Sequence, residues 1–133
     1  MADVIPAEFA DLLTREKRAF ANLAVVLHDG TPQVSPVWFD YKDGLFIVST
    51  ARGRVKDRAL HEHRYAALAI LEPTDPNRYL LVRGPVVEET EEGGWDQIDD
   101  LNEKYNGNRN FRRLPGQVRV TYKIKPEHVF GGT

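Results

Sequence analysis

The sequence predicts a mainly β protein, a small antiparallel barrel of six strands with two or three short helices. Three observations carry this. Asp-Gly pairs at 29–30 and 43–44 stand between apolar runs, where Asp-Gly accepts the positive φ of a tight hairpin. The run QVRVTYKI (117–124) alternates apolar and polar residues with the period of a strand. No regular β-α-β alternation is present, which argues against a parallel sheet. An antiparallel chain of this size removes most of its exposed edges by closing into a barrel.

The elements follow in order. Pro6 and AEFADLL form a short helix, with proline tolerated in the first turn. AFANLAVVL (19–27) is the first strand, and the first Asp-Gly turns it into PQVSPVWFDY (32–41). The second Asp-Gly leads into LFIVST (45–50), which completes a three-strand meander. Val55, Ala59 and Leu60 recur at helical spacing, so residues 53–63 form a short helix. YAALAILE (65–72) is a strand, and Pro73, Asp75 and Pro76 make a turn. RYLLVRGPVVEE (78–89) is a strand interrupted by Gly84-Pro85, which marks an edge, bend or bulge. Trp95, Ile98, Leu101 and Tyr105 lie on one face of an amphipathic helix after the acidic run EETEEGG. NGNRNFRRLPG (106–116) is a polar loop. In 117–124, Val118, Val120, Tyr122 and Ile124 are expected to face in, and Arg119, Thr121 and Lys123 out. A short tail follows.

Composition narrows the function classes. The 133 residues are the size of one domain, taken as 1–133, and 41% hydrophobic residues suffice for a core. Eighteen basic and twenty acidic residues give a net charge of -2, so the broad basic footprint of a nucleic-acid-binding domain is absent. Without cysteine there are no disulfides, thiolate metal sites or thiol nucleophiles. No apolar run approaches the ~20 residues of a membrane span. The N-terminus carries two acids and no basic flank, unlike a secretory signal. A cytoplasmic globular protein is expected.

One stretch concentrates charge against this background. In STARGRVKDRALHEH (49–63), Arg52, Arg54, Lys56 and Arg58 fall within seven positions, offset locally by Asp57 alone. Ser49 and Thr50 offer hydroxyls at the end of a strand, and Gly53 permits a tight turn or a close approach. A helix beginning near Arg54 aims its free N–H groups and the positive end of its dipole at the same turn. Hydroxyls, helix amides and mobile cations together bind phosphate. The competing reading is a solvated basic helix face with no ligand. A second stretch, Gln33-Val34-Ser35-Pro36-Val37-Trp38, holds a proline that cannot donate to a sheet ladder, so the strand is broken there or lies on an edge. Such a strand presents backbone groups, a serine and an aromatic to a planar ligand, or is an edge protected by proline.

Other residues carry weaker signals. His61 and His63 are two apart on a helix and face different ways, so no metal site is expected. No GxSxG motif supports a Ser-His-Asp triad, and the acids at 88–92 read as a solvated turn. Arg109, Arg112 and Arg113 are either solvent-facing or hold the anionic tail of a ligand. Arg52 and the HEH segment read as surface.

The order HDGTPQVSPVWFDYKDGLFIVST, then ARGRVKDRALHEHRYAALAI, resembles the pyridoxamine phosphate oxidase-like superfamily of split β-barrel flavin-binding proteins. It looks closest to the branch of small proteins that use the deazaflavin coenzyme F420. The resemblance runs from about residue 8 to residue 130 and is most specific over 30–70, including Lys56 four residues before Leu60. It implies a six-stranded antiparallel split barrel and a homodimer with cofactor sites at the subunit interface. Carried over residue by residue, Ser49, Thr50, Arg54 and Lys56 match the cofactor-phosphate positions, with Arg58 a neighbour. Gln33 and the stretch Ser35, Pro36, Val37 and Trp38 match the strand along the flavin ring and ribityl chain.

The resemblance further implies an oxidoreductase moving a hydride from reduced F420 to an unsaturated small molecule. The alternatives are an FMN-dependent reductase or oxidase with the same site, and a carrier that binds the cofactor without turnover. The cofactor carries the chemistry, so no catalytic residue is named. The sequence lacks the C-terminal arginine and histidine tract of the vitamin B6 oxidase, so vitamin B6 oxidation is not expected. It also lacks the extra histidine-bearing segment of haem-degrading relatives.

Overall fold

The computed structural model describes residues 5–133; residues 1–4, on which part of the expectation about a secretory signal falls, lie outside them. A 3-10 helix, Ala7–Leu13, precedes β1 (Ala21–Val26), β2 (Pro32–Val37), β3 (Asp40–Lys42) and β4 (Leu45–Ala51). Helix α1 (Val55–His63) and strands β5 (Tyr65–Glu72) and β6 (Asp75–Thr90) follow, then α2 (Gly94–Asn106), β7 (Arg119–Ile124) and β8 (His128–Gly132).

The strands form one sheet in the order β2-β1-β5-β6-β7-β4-β3, with β8 added to β6, and every pair is antiparallel. The two ends of this order, β2 and β3, are consecutive in the chain and separated only by Trp38 and Phe39. The sheet must therefore roll until its ends meet, and it stays open between them. The result is an antiparallel split barrel. Pro36 lies within the edge strand β2, paired with Asn22, and the break comes two residues later, at Trp38 and Phe39.

Eight strands stand where six were expected. The predicted strand 32–41 is two strands, because residues 32–37 pair with β1 while 40–42 pair with β4. The tail holds β8, paired with Tyr79–Arg83 of β6. Gly131 and Gly132 end it because a Cβ on either would run into the ring of Phe9 or Tyr79. Strand β6 is long enough to serve both halves of the barrel. It pairs with β5 up to Pro85, then shifts register between Val86 and Glu88 and pairs with β7. Gly84 sits at that crossing, where an added Cβ would overlap the Lys125 carbonyl.

The core fills the barrel with Leu12, Leu23, Phe39, Phe46, Leu60, Leu68, Ile70, Leu80, Tyr122 and Ile124, each essentially inaccessible to solvent. Helix α2 lies outside the barrel against β4 and β7, burying Ile98 and Leu101. This covering layer overturns the outward half of the β7 pattern. Val120, Tyr122 and Ile124 face the core as expected. Arg119 and Thr121, expected outside, are 5% and 3% exposed, while Val118 is 43% exposed.

Candidate functional site: a cationic groove and an aromatic chamber

The site begins at the start of α1. Gly53 adopts φ 91° in the left-handed region, which an L side chain resists. Its N–H donates to Asp57 Oδ2 at 2.8 Å, fixing the turn against the helix. The first intrahelical bond runs from the Arg58 N–H to the Arg54 carbonyl, so the amides of residues 55–57 remain without intrahelical partners.

The four basic residues divide. Arg52 turns away from the turn and contacts three carboxylates, Asp57 at 2.9 Å, Glu89 at 2.6 Å and Glu91 at 2.8 Å. The surface role expected for it is corrected: Arg52 ties β4, α1 and β6 together. Glu89 also accepts from His61 and Arg64. Burial opposes its ionisation, but the hydrogen bonds from Arg52, His61 and Arg64 prevail and hold its carboxyl down at about 2. Arg54, Lys56 and Arg58, by contrast, have no ion pair among the described residues; Lys56 Nζ contacts Ser35 Oγ at 3.3 Å. Asp57, the one local acid, is 5% exposed and committed to Gly53, Arg52 and the Tyr122 hydroxyl. Among the described residues three cations are thus left uncompensated beside helix amides that have no intrahelical partner.

Two cavities meet on this ridge. A polar groove of about 500 Å³ is lined by Gln33, Val34, Ser35, Gly53, Arg54, Val55, Lys56 and Arg58. An apolar chamber of about 410 Å³ is lined by Phe20, Pro36, Val37, Trp38, Ser49, Thr50, Arg54, Lys56, Ile98, Leu101, Phe111 and Arg119. Both fall in the size range of small-molecule sites, and Arg54 and Lys56 border both.

An aromatic column forms one side of the chamber. Tyr105 stacks between Phe20, 5.1 Å away, and Trp38, 5.3 Å away, and Phe111 meets Trp38 edge-on at 6.2 Å. The Tyr105 hydroxyl donates to the Ala19 carbonyl at 2.6 Å and receives the Phe39 N–H at 3.3 Å. Its pKa is pushed up to about 12, mainly by burial, so the ring stays neutral. Beneath lies Lys104, 4% exposed. Its ammonium donates to the Phe39 carbonyl at 2.6 Å and sits over the Phe39 ring at 4.2 Å. These contacts hold Trp38 in place, since Phe39 is the next residue.

All ten residues singled out in the sequence border these cavities. Gln33, Ser35 and Arg58 line the groove; Pro36, Val37, Trp38, Ser49 and Thr50 line the chamber; Arg54 and Lys56 line both. Phe20, Ile98, Leu101, Phe111 and Arg119 join them from distant segments. Only the helical spacing of Ile98 and Leu101 signalled a buried face, and nothing signalled Arg119. The second basic cluster resolves as structure in two of its members. Arg109 pairs with Asp96 and Asp100, and Arg113 with Asp99 and the face of Trp95. These contacts clasp the 106–116 loop to α2. The histidines disperse: His28 pairs with Glu62, His61 with Glu89, and His63 with the Leu27 carbonyl.

Barrel, seam and cationic ridge define a split-barrel protein with a polar, cationic groove beside an aromatic chamber. The chain belongs to the pyridoxamine 5'-phosphate oxidase family, whose model matches residues 5–131. Its fold is the flavin-binding oxidoreductase fold of that family. It is similar to a solved F420 reductase, with TM-score 0.83 and 28% identity, over 95% of this chain and 98% of the other. The same fold recurs in a conserved hypothetical protein of Mycobacterium tuberculosis, with TM-score 0.75 and 19% identity, over 98% and 86% of the two chains. It recurs also in HupZ of group A Streptococcus, with TM-score 0.68 and 18% identity, over 96% and 94%. No curated protein matches the chain by sequence. Among the described residues no helix is long and apolar enough to cross a membrane.

Proposed function

We propose that the chain is an oxidoreductase that binds reduced deazaflavin F420 along the groove and chamber and passes a hydride to an unsaturated organic substrate. The observation that carries the binding reading is the set of uncompensated cations, Arg54, Lys56 and Arg58, beside the free amides of α1. Charges left unpaired next to helix amides form an anion site, and phosphate is the anion that flavin-type cofactors carry. The donor set fits such a cofactor. Gln33 and Ser35 add polar groups along the groove, and Pro36, Val37 and Trp38 offer a flat wall to a ring. Within the chamber the Thr50 hydroxyl is buried without a hydrogen-bond partner among the described residues, and a bound ring or ribityl hydroxyl would satisfy it. When bound, the cofactor supplies the hydride. The chain's residues hold the phosphate, orient the ring and keep water from its face.

The choice of F420 rests on the similarity to the F420 reductase along nearly the full length of both chains. FMN is the second reading. It is favoured by Arg109 and Arg113, which are tied to α2 acids and so are not free to meet the acidic tail that F420 has and FMN lacks.

A homodimer belongs to the same proposal. The outer face of β1, β5, β6 and β8 carries a concave patch of small residues, Ala24, Ala67 and Ala69, rimmed by Leu81 and Phe130, which are 41% and 59% exposed. Val34 lines both this patch and the phosphate groove, so a partner covering the patch would close over the cofactor cleft.

Titrating the purified protein with each cofactor, followed by fluorescence, separates the readings. Binding of F420 and reoxidation of its reduced form by enone acceptors is expected. Tight FMN binding with no F420 binding transfers the assignment to FMN. Tight binding of either without turnover on a broad acceptor panel makes the protein a carrier.

A further inference from the structure

Arg119 has no role in the contacts above. It lines the chamber and is 5% exposed, yet no carboxylate among the described residues pairs with it. Its Nη2 donates to Ser49 Oγ at 2.9 Å, and its Nη1 reaches Gln117 Oε1 only at 3.4 Å. Among the described residues the buried Nε has no hydrogen-bond partner, and the guanidinium lies 5.3 Å from the Phe111 ring centre. Lys104, equally buried, shows the contrast, because a carbonyl and an aromatic face satisfy it. The charge that bears on Arg119 is a like one: burial, then Arg54, pull its pKa down to about 10, so it stays cationic at neutral pH. A buried charge with neutral partners is strongly unfavourable. A fold keeps one where a ligand completes it, and such residues concentrate in functional clefts.

We infer that Arg119 receives a delocalised anionic oxygen on a planar molecule seated against Trp38 and Phe111, at a subsite separate from the phosphate groove. A guanidinium suits this, because its planar fork matches a carboxylate or a conjugated oxyanion. Two sources present that chemistry. One is the carboxylate of a planar substrate. The other is the ring oxygen of a reduced, deprotonated flavin-type cofactor, and this source alone rests on the function proposed above.

The test uses the full chain and two neutral variants, Arg119→Gln and Arg119→Met. Benzoate titrated into the unloaded protein probes the carboxylate source: at least a tenfold loss of affinity in the variants is expected. The reduction potential of bound FMN or F420 probes the ring source. There, each tenfold loss of preference for the reduced form lowers the two-electron potential by about 30 mV. Melting without ligand is expected at or above the wild-type temperature, since an uncompensated charge is removed; a purely structural arginine would lower it. Loss in either arm supports the inference and identifies the source. Unchanged benzoate affinity together with an unchanged potential overturns it, as does failure of both variants to fold. If neither cofactor binds the wild type, the proposed function falls while benzoate alone decides Arg119, and benzoate that then fails to bind the wild type overturns the inference.

Discussion

Arg52 and Arg54 are two residues apart in the same turn and have opposite fates. Arg52 points at Glu89, Asp57 and Glu91, while Arg54 has no acidic partner among the described residues. Charge-assisted contacts to phosphate are worth roughly 1.5–3 kcal/mol. Lys56→Ala should therefore weaken cofactor binding about tenfold to a hundredfold, read by fluorescence titration; an unchanged Kd refutes the phosphate site. Arg52→Ala should act mainly on stability, by roughly 1–3 kcal/mol in urea melts, because Asp57 stays buried without its cation and Glu89 loses one of its three partners. Lys104 gives a pH signature. Burial pulls its pKa from 10.5 to about 8, with Asp40 opposing and Arg15 reinforcing. Between these values the unfolded chain binds the extra proton, so this residue makes stability rise with pH. Urea melts from pH 7.5 to 9.5 should show the wild type gaining on Lys104→Met; parallel curves would exclude the effect.

At the scale of elements, α2 completes the chamber by packing over the outer face of β7. Gly94 makes that approach possible: a Cβ there would lie 2.5 Å from the Arg119 carbonyl oxygen. Gly94→Ala should lift the start of α2, costing about 1–3 kcal/mol as overpacking does, and should weaken ligand binding in the chamber as Ile98 and Leu101 shift. Full stability with native affinity would show that the helix is not seated as described. This packing also explains the misassigned side chains. Alternation in 117–124 gave Val120, Tyr122 and Ile124 their inward face, because one side of β7 meets the barrel core. It failed for Arg119 and Thr121 because a helix from residues 94–106 covers the other side. A period of two reports two faces but not what lies over each. The hairpins at 29–30 and 43–44 needed no such partner and were legible from turn chemistry alone.

For the whole molecule, the long bent β6 joins the two halves of the barrel, and the split between β2 and β3 opens the cleft. The proposed homodimer places a second copy on the β1-β5-β6-β8 face. Leu81→Asp combined with Phe130→Asp should convert a dimer to a monomer of unchanged circular dichroism, and should weaken cofactor binding because Val34 joins patch and groove. Light scattering decides it: a wild-type monomer at micromolar concentration rejects the dimer, and a dimeric double variant moves the interface elsewhere.

By itself the sequence determined the β class, the turns, the edge strand at Pro36 and the charge at the start of α1. Each is set by a few neighbouring residues through φ preference, side-chain period or a missing N–H. Tertiary structure alone decided which cations remain free. Whether an arginine meets an anion depends on acids as distant as Glu89 and on a helix that buries Arg119 away from the carboxylates of the described residues. Pairing and desolvation act through space, and residues 37 to 70 positions apart in the chain are brought together only by the rolled sheet.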